Sequence, residues 1–188
     1  MKKAFTLAEM LIVIAIIGVV AALVMPSLVA DYQNRVLMTQ LKKAYAEISQ
    51  AGLLAIAQDD AGTFSSTKAY KNGTFLSTYF KKSKSCGRDY EGCISDSYTD
   101  PDGDSFDASK EFGGKSETKN SFACIKAKAG YALCLSGKHG FLDVNAQRGP
   151  NQVGKDAFTV GIGEDGTIDD KYSHSLKDIV KNDWDMSN

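Results

Sequence analysis

The sequence predicts an α+β protein: a long N-terminal α-helix, transmembrane in its first half and amphipathic in its second, packed on a small antiparallel β-sheet head. Three observations carry the prediction. Residues 10–30 run without a charge, an apolar stripe at helical spacing follows them, and the last third of the chain alternates short apolar runs with tight turns.

The apolar run comes first. Its 21 residues at about 1.5 Å each span roughly 31 Å, close to the thickness of a bilayer core. A secretory signal core has only roughly 7–15 apolar residues, so the segment reads as retained rather than removed after Ala30. Lys2 and Lys3 precede it, which keeps the N-terminus cytoplasmic and sends the rest of the chain outward. Glu9 does not suit a plain anchor. A carboxylate one turn into an apolar helix costs a few kcal/mol in lipid and usually has a partner or a task.

Beyond Pro26 the pattern becomes amphipathic. Leu37, Leu41, Ala44, Ile48, Ala51 and Ala55 recur at steps of three and four, which puts them on one helix face. Alanines are small for a coiled-coil seam but suit close packing on a sheet. A single helix over residues 5–58 extends roughly 81 Å, a rod that a head of this size does not need for its own core. Asp59-Asp60-Ala61-Gly62 ends it. Residues 63–121 are glycine-punctuated and read as loop-rich. Residues 122–127 and 131–135 flank Lys128-Ala129-Gly130 as a hairpin, and residues 141–144 and 157–162 supply two more strands. Glu164-Asp165-Gly166 makes a turn, and a short helix over residues 176–184 closes the head. The chain therefore divides into residues 1–4, an apolar helix over 5–30, an amphipathic helix over 31–58 and a head over 59–188.

Composition narrows the function. With 22 basic and 23 acidic residues in 188 and a net charge of -1, the chain lacks the basic footprint of a protein that wraps nucleic acid. Its two histidines, His139 and His174, stand in unrelated contexts, which excludes a His-rich metal centre. No nucleophile, base and orienting group come together, so an enzyme is not expected.

Four cysteines, Cys86, Cys93, Cys124 and Cys134, all lie in the head. An even count in an exported domain argues for disulfides, and no C-x-x-C pair supports zinc. Of three connectivities, Cys86–Cys93 and Cys124–Cys134 are favoured, because the hairpin sets Cys124 opposite Cys134. Two acidic clusters are candidate calcium sites. Asp100, Asp102, Asp104 and Glu111 occupy the first, third, fifth and twelfth positions of an EF-hand-like loop, although Ser105 stands where the sharp turn wants glycine. Asp143, Asn145 and Asp156 lie in D-x-N-x-x-x-G-P-N-x-x-G-x-D between two strands and converge if that loop folds back. A solvated loop is the plainer reading of the first, and side-chain capping of turns is the plainer reading of the second.

The leader Met1-Lys2-Lys3-Ala4, the run Phe5-Thr6-Leu7-Ala8-Glu9-Met10-Leu11-Ile12-Val13-Ile14, and then Gly18 and Pro26 resemble the type IV pilin and secretion pseudopilin family. The resemblance covers about the first 50 residues. It implies cleavage between Ala4 and Phe5 by a prepilin peptidase and methylation of the new amino group, with Ala4 standing where that family usually has glycine. It further implies that Glu9 pairs with the Phe5 ammonium of a neighbouring subunit, and that the helix can unwind locally at Gly18 and Pro26 in a filament. Pseudopilins of that family hold calcium in a late head loop, which adds to the expectation for Asp143, Asn145 and Asp156. No cofactor is otherwise required. The partners implied are the prepilin peptidase, other pilin-like subunits, an inner-membrane assembly platform and the lipid bilayer. The place implied is a single pass through the inner membrane with a periplasmic head, or the cell surface once assembled into a pilus. The competing reading is a monomeric membrane-tethered adhesin or sensor that binds calcium or another ligand.

Overall fold

The computed structural model describes residues 6–87, 90–108, 122–169, 176–181 and 184. Helix α1 runs from Leu7 to Asp59, so the apolar run and the amphipathic stripe belong to one element. The chain forms two compact units, Met1–Val36 and Leu37–Asn188.

In the second unit the stripe is buried as its spacing requires: Leu37, Leu41, Ala44, Ile48, Ala51 and Ala55 are all inside, together with Gly52. Asp60 ends the helix in the left-handed region, at φ 47°, and the Ala61 N–H reaches back to the Ile56 carbonyl at 3.0 Å, a Schellman-type cap. Residues 63–81, expected to be loop, contain a 3-10 turn at Phe64–Ser66 and two short helices, α2 (Lys68–Lys71) and α3 (Phe75–Tyr79). Phe64 and Phe75 meet edge to face at 4.9 Å, and both are buried. These aromatics close the end of the core beyond α1.

Five strands make the main sheet: β1 (Lys82–Gly87), β4 (Phe122–Ala127), β5 (Ala132–Ser136), β6 (His139–Asp143) and β7 (Ala157–Gly161), in that spatial order and antiparallel throughout. The expected hairpin is β4–β5. Strand β1 falls in the stretch expected to be loop, and it carries no strand signal because it is exposed along most of its length and shows no apolar alternation. A separate two-stranded ribbon, β2 (Tyr98–Thr99) with β3 (Ser105–Phe106), was likewise too short to read. The last helix, α4 (Leu176–Lys181), stops short of Trp184, which follows it at φ 64° and meets Tyr45 of α1 edge-on at 5.5 Å.

Side chains alternate across the sheet, so its two faces build two cores. Ile125, Ala127, Leu133, Leu135, Leu142, Phe158 and Val160 join the α1 stripe in one. Cys124, Ala132, Cys134, Phe141 and Ala157 face the other, where Tyr98, Ile94 and Val153 cover them. Both expected disulfides form. Cys86–Cys93 has a Cα–Cα distance of 6.2 Å, and Cys124–Cys134 joins residues directly opposite in the β4–β5 register.

One close approach seats α1 on the head. A Cβ at Gly52 would run into the carbonyl oxygen of Gly166, whose own φ of 81° suits glycine. Gly52→Ala is therefore expected to lower the melting midpoint of the detergent-solubilised chain. Overpacking of about 1–3 kcal/mol outweighs the helix preference of about 1 kcal/mol that alanine brings. Gly18→Ala, where a Cβ meets nothing within 4 Å, carries the preference without the clash and leaves the midpoint unchanged or higher. Thermal circular dichroism of both variants makes the comparison.

Candidate functional site

The first unit presents apolar side chains to its surroundings along the whole helix. An 18-residue window of α1 has a mean hydropathy of 2.9 with none of it buried, and the helix is long and apolar enough to cross a membrane. Its start is held by a capping box. Glu9 Oε2 accepts from the Thr6 N–H and the Thr6 hydroxyl, each at 2.8 Å, while the Glu9 N–H donates to Thr6 Oγ1 at 3.3 Å. Thr6 was not singled out from the sequence, although threonine three residues before glutamate at the head of an apolar run is the signal for this cap. Within one subunit, then, Glu9 already has a partner. The helix continues through Gly18 and Pro26, and the Ser27 hydroxyl donates to the Val24 carbonyl at 2.9 Å beside the proline. Ala4 and Phe5 lie outside the described residues.

In the head the structure brings Asp143, Asn145 and Asp156 together. Asp143 ends β6 and Asp156 precedes β7, so the two strands deliver both carboxylates to the same end of the sheet. Both are fully buried. Asp143 accepts the Tyr98 hydroxyl at 2.6 Å on Oδ2 and the Asn145 N–H at 3.1 Å on Oδ1. Asp156 accepts N–H donors from Gln152 at 2.7 Å and Asn151 at 2.8 Å, and the Asn145 side-chain amide at 3.2 Å. The loop between them reverses through Ala146 at φ 57° and Asn151 at φ 56°, so the carboxylates staple a turn that the backbone alone would not favour. Tyr98 comes from the ribbon and also accepts the Ser95 N–H at 3.0 Å, which ties the outer layer to the sheet end. Sequence reasoning missed it, because its partner is 45 residues away.

Electrostatically this cluster is unbalanced. Burial pushes the Asp143 carboxyl up to about 7, with nearby Asp156 adding to the rise and the Tyr98 hydrogen bond opposing it. Burial raises Asp156 too, against the donors from Gln152, Asn151 and Asn145. Desolvation and then Asp143 raise the Tyr98 phenol, which therefore remains a donor. Among the described residues, Asn145 Oδ1 and Asn151 Oδ1 are buried with no hydrogen-bond partner. Two buried carboxylates and two unpartnered amide oxygens are a donor set that suits a hard cation, provided the Asn145 amide turns its oxygen toward Asp156.

The other acidic cluster is arranged differently. Asp100 and Asp104 flank the tip of the β2–β3 ribbon, where the Asp104 N–H donates to Asp100 Oδ1 at 2.8 Å and the Asp100 N–H to the Asp104 carbonyl at 2.9 Å. Strand β3 begins at Ser105, so Asp100, Asp102 and Asp104 belong to the turn of a hairpin. Asp102 is exposed at the tip, and Glu111 lies outside the described residues.

Residues 1–25 match the family model described as the prokaryotic N-terminal methylation motif. The chain carries a prepilin-type segment. This segment is the cleavage and methylation signal of type IV pilin-like proteins, which are structural subunits processed by prepilin peptidase and assembled with other pilins. The helix that carries it is long and apolar enough for the membrane anchoring that such a segment suggests. No curated protein and no solved structure matches the chain.

The buried pair has a pH signature. Between about pH 4 and pH 7 the folded head keeps a proton on Asp143 that an unfolded aspartate, with a pKa near 3.9, has released. The native state thus binds more protons in that window, and stability falls as pH rises through it, by at most about 4 kcal/mol for three pKa units. In chelator, the wild-type melting midpoint is expected to be higher at pH 5 than at pH 8, and Asp143→Asn to flatten the profile. Parallel slopes for both proteins would remove Asp143 as the source.

Proposed function

We propose that the chain is a structural subunit of a type IV pilus-like or type II secretion pseudopilus filament, matured by cleavage between Ala4 and Phe5. The observation that carries this reading is the prepilin-type segment at the head of a helix whose first half leaves its apolar side chains uncovered. Leu7 and Leu23, exposed at 79% and 75%, are typical of that half. Lipid covers such a surface before assembly, and the same half of neighbouring helices covers it afterwards. Glu9 then exchanges its bonds to Thr6 for the ammonium of a neighbour's Phe5. A buried charge left without its partner costs about 3–5 kcal/mol, which makes the pairing a check on register.

The test is to express the chain with a prepilin peptidase and an assembly platform, and to separate sheared from membrane-bound protein. The expected mature N-terminus is methylated Phe5 by mass spectrometry. Glu9→Ala is expected to keep membrane insertion while its sheared fraction drops about tenfold or more, as loss of a buried partner requires. An N-terminus at Met1, or equal sheared fractions, would falsify the reading.

For the head we propose calcium at Asp143, Asn145 and Asp156, on the strength of the unpartnered Asn145 Oδ1 beside two uncompensated carboxylates. A cation bound only by the folded state stabilises it by about 2.7 kcal/mol at a hundredfold excess over its Kd. Calcium is expected to raise the melting midpoint, and magnesium to do so less because it tolerates irregular geometry poorly. Asp156→Ala is expected to abolish the shift, while Asp102→Ala preserves it. An unchanged wild-type midpoint at millimolar calcium leaves the cluster as a hydrogen-bonded staple.

A further inference from the structure

The head carries a lysine-rich sheet edge and an acidic hairpin tip, the first with Glu91 and the second with Lys155 nearby. Edge strand β1 and its neighbour β4 carry Lys82, Lys84 and Lys126, and Lys128 and Lys81 meet through a backbone hydrogen bond of 2.8 Å just beyond the strands. Lys84 stands directly opposite Lys126 in the register, with Lys82 opposite Ala127. Beside β6 and β7 lies the tip of the β2–β3 ribbon with Asp100, Asp102 and Asp104. That tip is fastened to the β6–β7 connection by Thr99 N–H to the Asn151 carbonyl at 3.0 Å and Val153 N–H to the Thr99 carbonyl at 2.8 Å. The tip is thus tied to the β6–β7 connection, and three strand spacings of about 4.8 Å separate β4 from β7. None of these lysines has an ion pair among the described residues, and neither do Asp102 and Asp104.

Lysines on β1 alone would serve to keep an edge strand from pairing with another sheet. That role does not extend to Lys126 and Lys128, which lie on or beyond an interior strand. Like charges directly opposite across two strands, as at Lys84 and Lys126, are destabilising unless an anion relieves them. We propose that this lysine edge docks on the Asp102 and Asp104 hairpin tip of a second copy of the chain, head to tail. The inference rests on the filament reading above. A contact between two different surfaces of identical subunits builds an open helix whenever its rotation does not close a ring, which is the symmetry a filament needs. Charge complementarity of this kind mainly sets register and partner choice, while the apolar helices supply the bulk of the association.

Sheared filaments of the wild-type chain, treated with a zero-length carbodiimide, are expected to yield intersubunit links from Lys84, Lys126 or Lys128 to Asp102 or Asp104. In the assembly assay, Lys84→Glu/Lys126→Glu/Lys128→Glu is expected to reduce the sheared fraction roughly tenfold through like-charge repulsion. Asp102→Lys/Asp104→Lys is expected to do the same, and the five substitutions together to restore most of it. Links from these lysines to another protein, no such links in wild-type filaments, or a swap that does not rescue while both parents stay oxidised in the membrane overturn the docking while leaving the filament reading intact. Absence of any sheared wild-type protein overturns the filament reading and the docking with it.

Discussion

Everything in the head depends on the second half of α1 covering one face of the sheet. Leu133, Leu135, Leu142, Phe158 and Val160 form an apolar surface that would face water without the stripe from Leu37 to Ala55. Burying each such side chain contributes about 1.5–3 kcal/mol, so the face as a whole is worth about as much as the entire net stability of a domain. The helix is thus at once the core of the head and the continuation of the apolar segment. A requirement for alanines and Gly52 at the contact follows, because larger residues would lift the helix off the sheet.

The opposite face is organised by polar groups. Asp143 and Asp156 leave the ends of two paired strands and hold the β6–β7 connection in shape. Tyr98 carries that order across to the ribbon and to the backbone at Ser95, just beyond the Cys86–Cys93 loop. Such an arrangement is stiff but poorly balanced, since its carboxylates meet donors and no cation among the described residues. A layer built this way responds to what it is dissolved in, proton or divalent ion, more than the apolar layer does.

The parts legible in the sequence were those with local signals. The stripe of α1, the β4–β5 hairpin, the cysteine pairing and the D-x-N turn all follow from spacing over a few residues. Strand β1 escaped because Lys82, Ser83, Lys84 and Ser85 are exposed and show no burial pattern. Tyr98 and Gly52 escaped for another reason: each acts through a partner far along the chain, Asp143 in one case and Gly166 in the other, and no periodicity encodes such a pairing. The Thr6 cap has a local signal as well, since Thr6 and Glu9 stand at the spacing that closes the N–H groups left open at the start of a helix.

The disulfide between Cys124 and Cys134 has a meaning beyond holding a hairpin shut. Strand β5 reads Ala132-Leu133-Cys134-Leu135, apolar on both sides, because both of its faces are buried. An alternation of polar and apolar residues normally penalises a one-residue slip between strands, and here that penalty is weak. A slip would send Leu133 and Leu135 toward the acidic layer and Ala132 toward α1, with little change in how much apolar surface is covered. The covalent bond forbids it. In a sheet whose hydrophobic pattern is ambiguous, a cross-link between directly opposed residues supplies the alignment that the pattern leaves undetermined, and it decides which face of the head receives the helix.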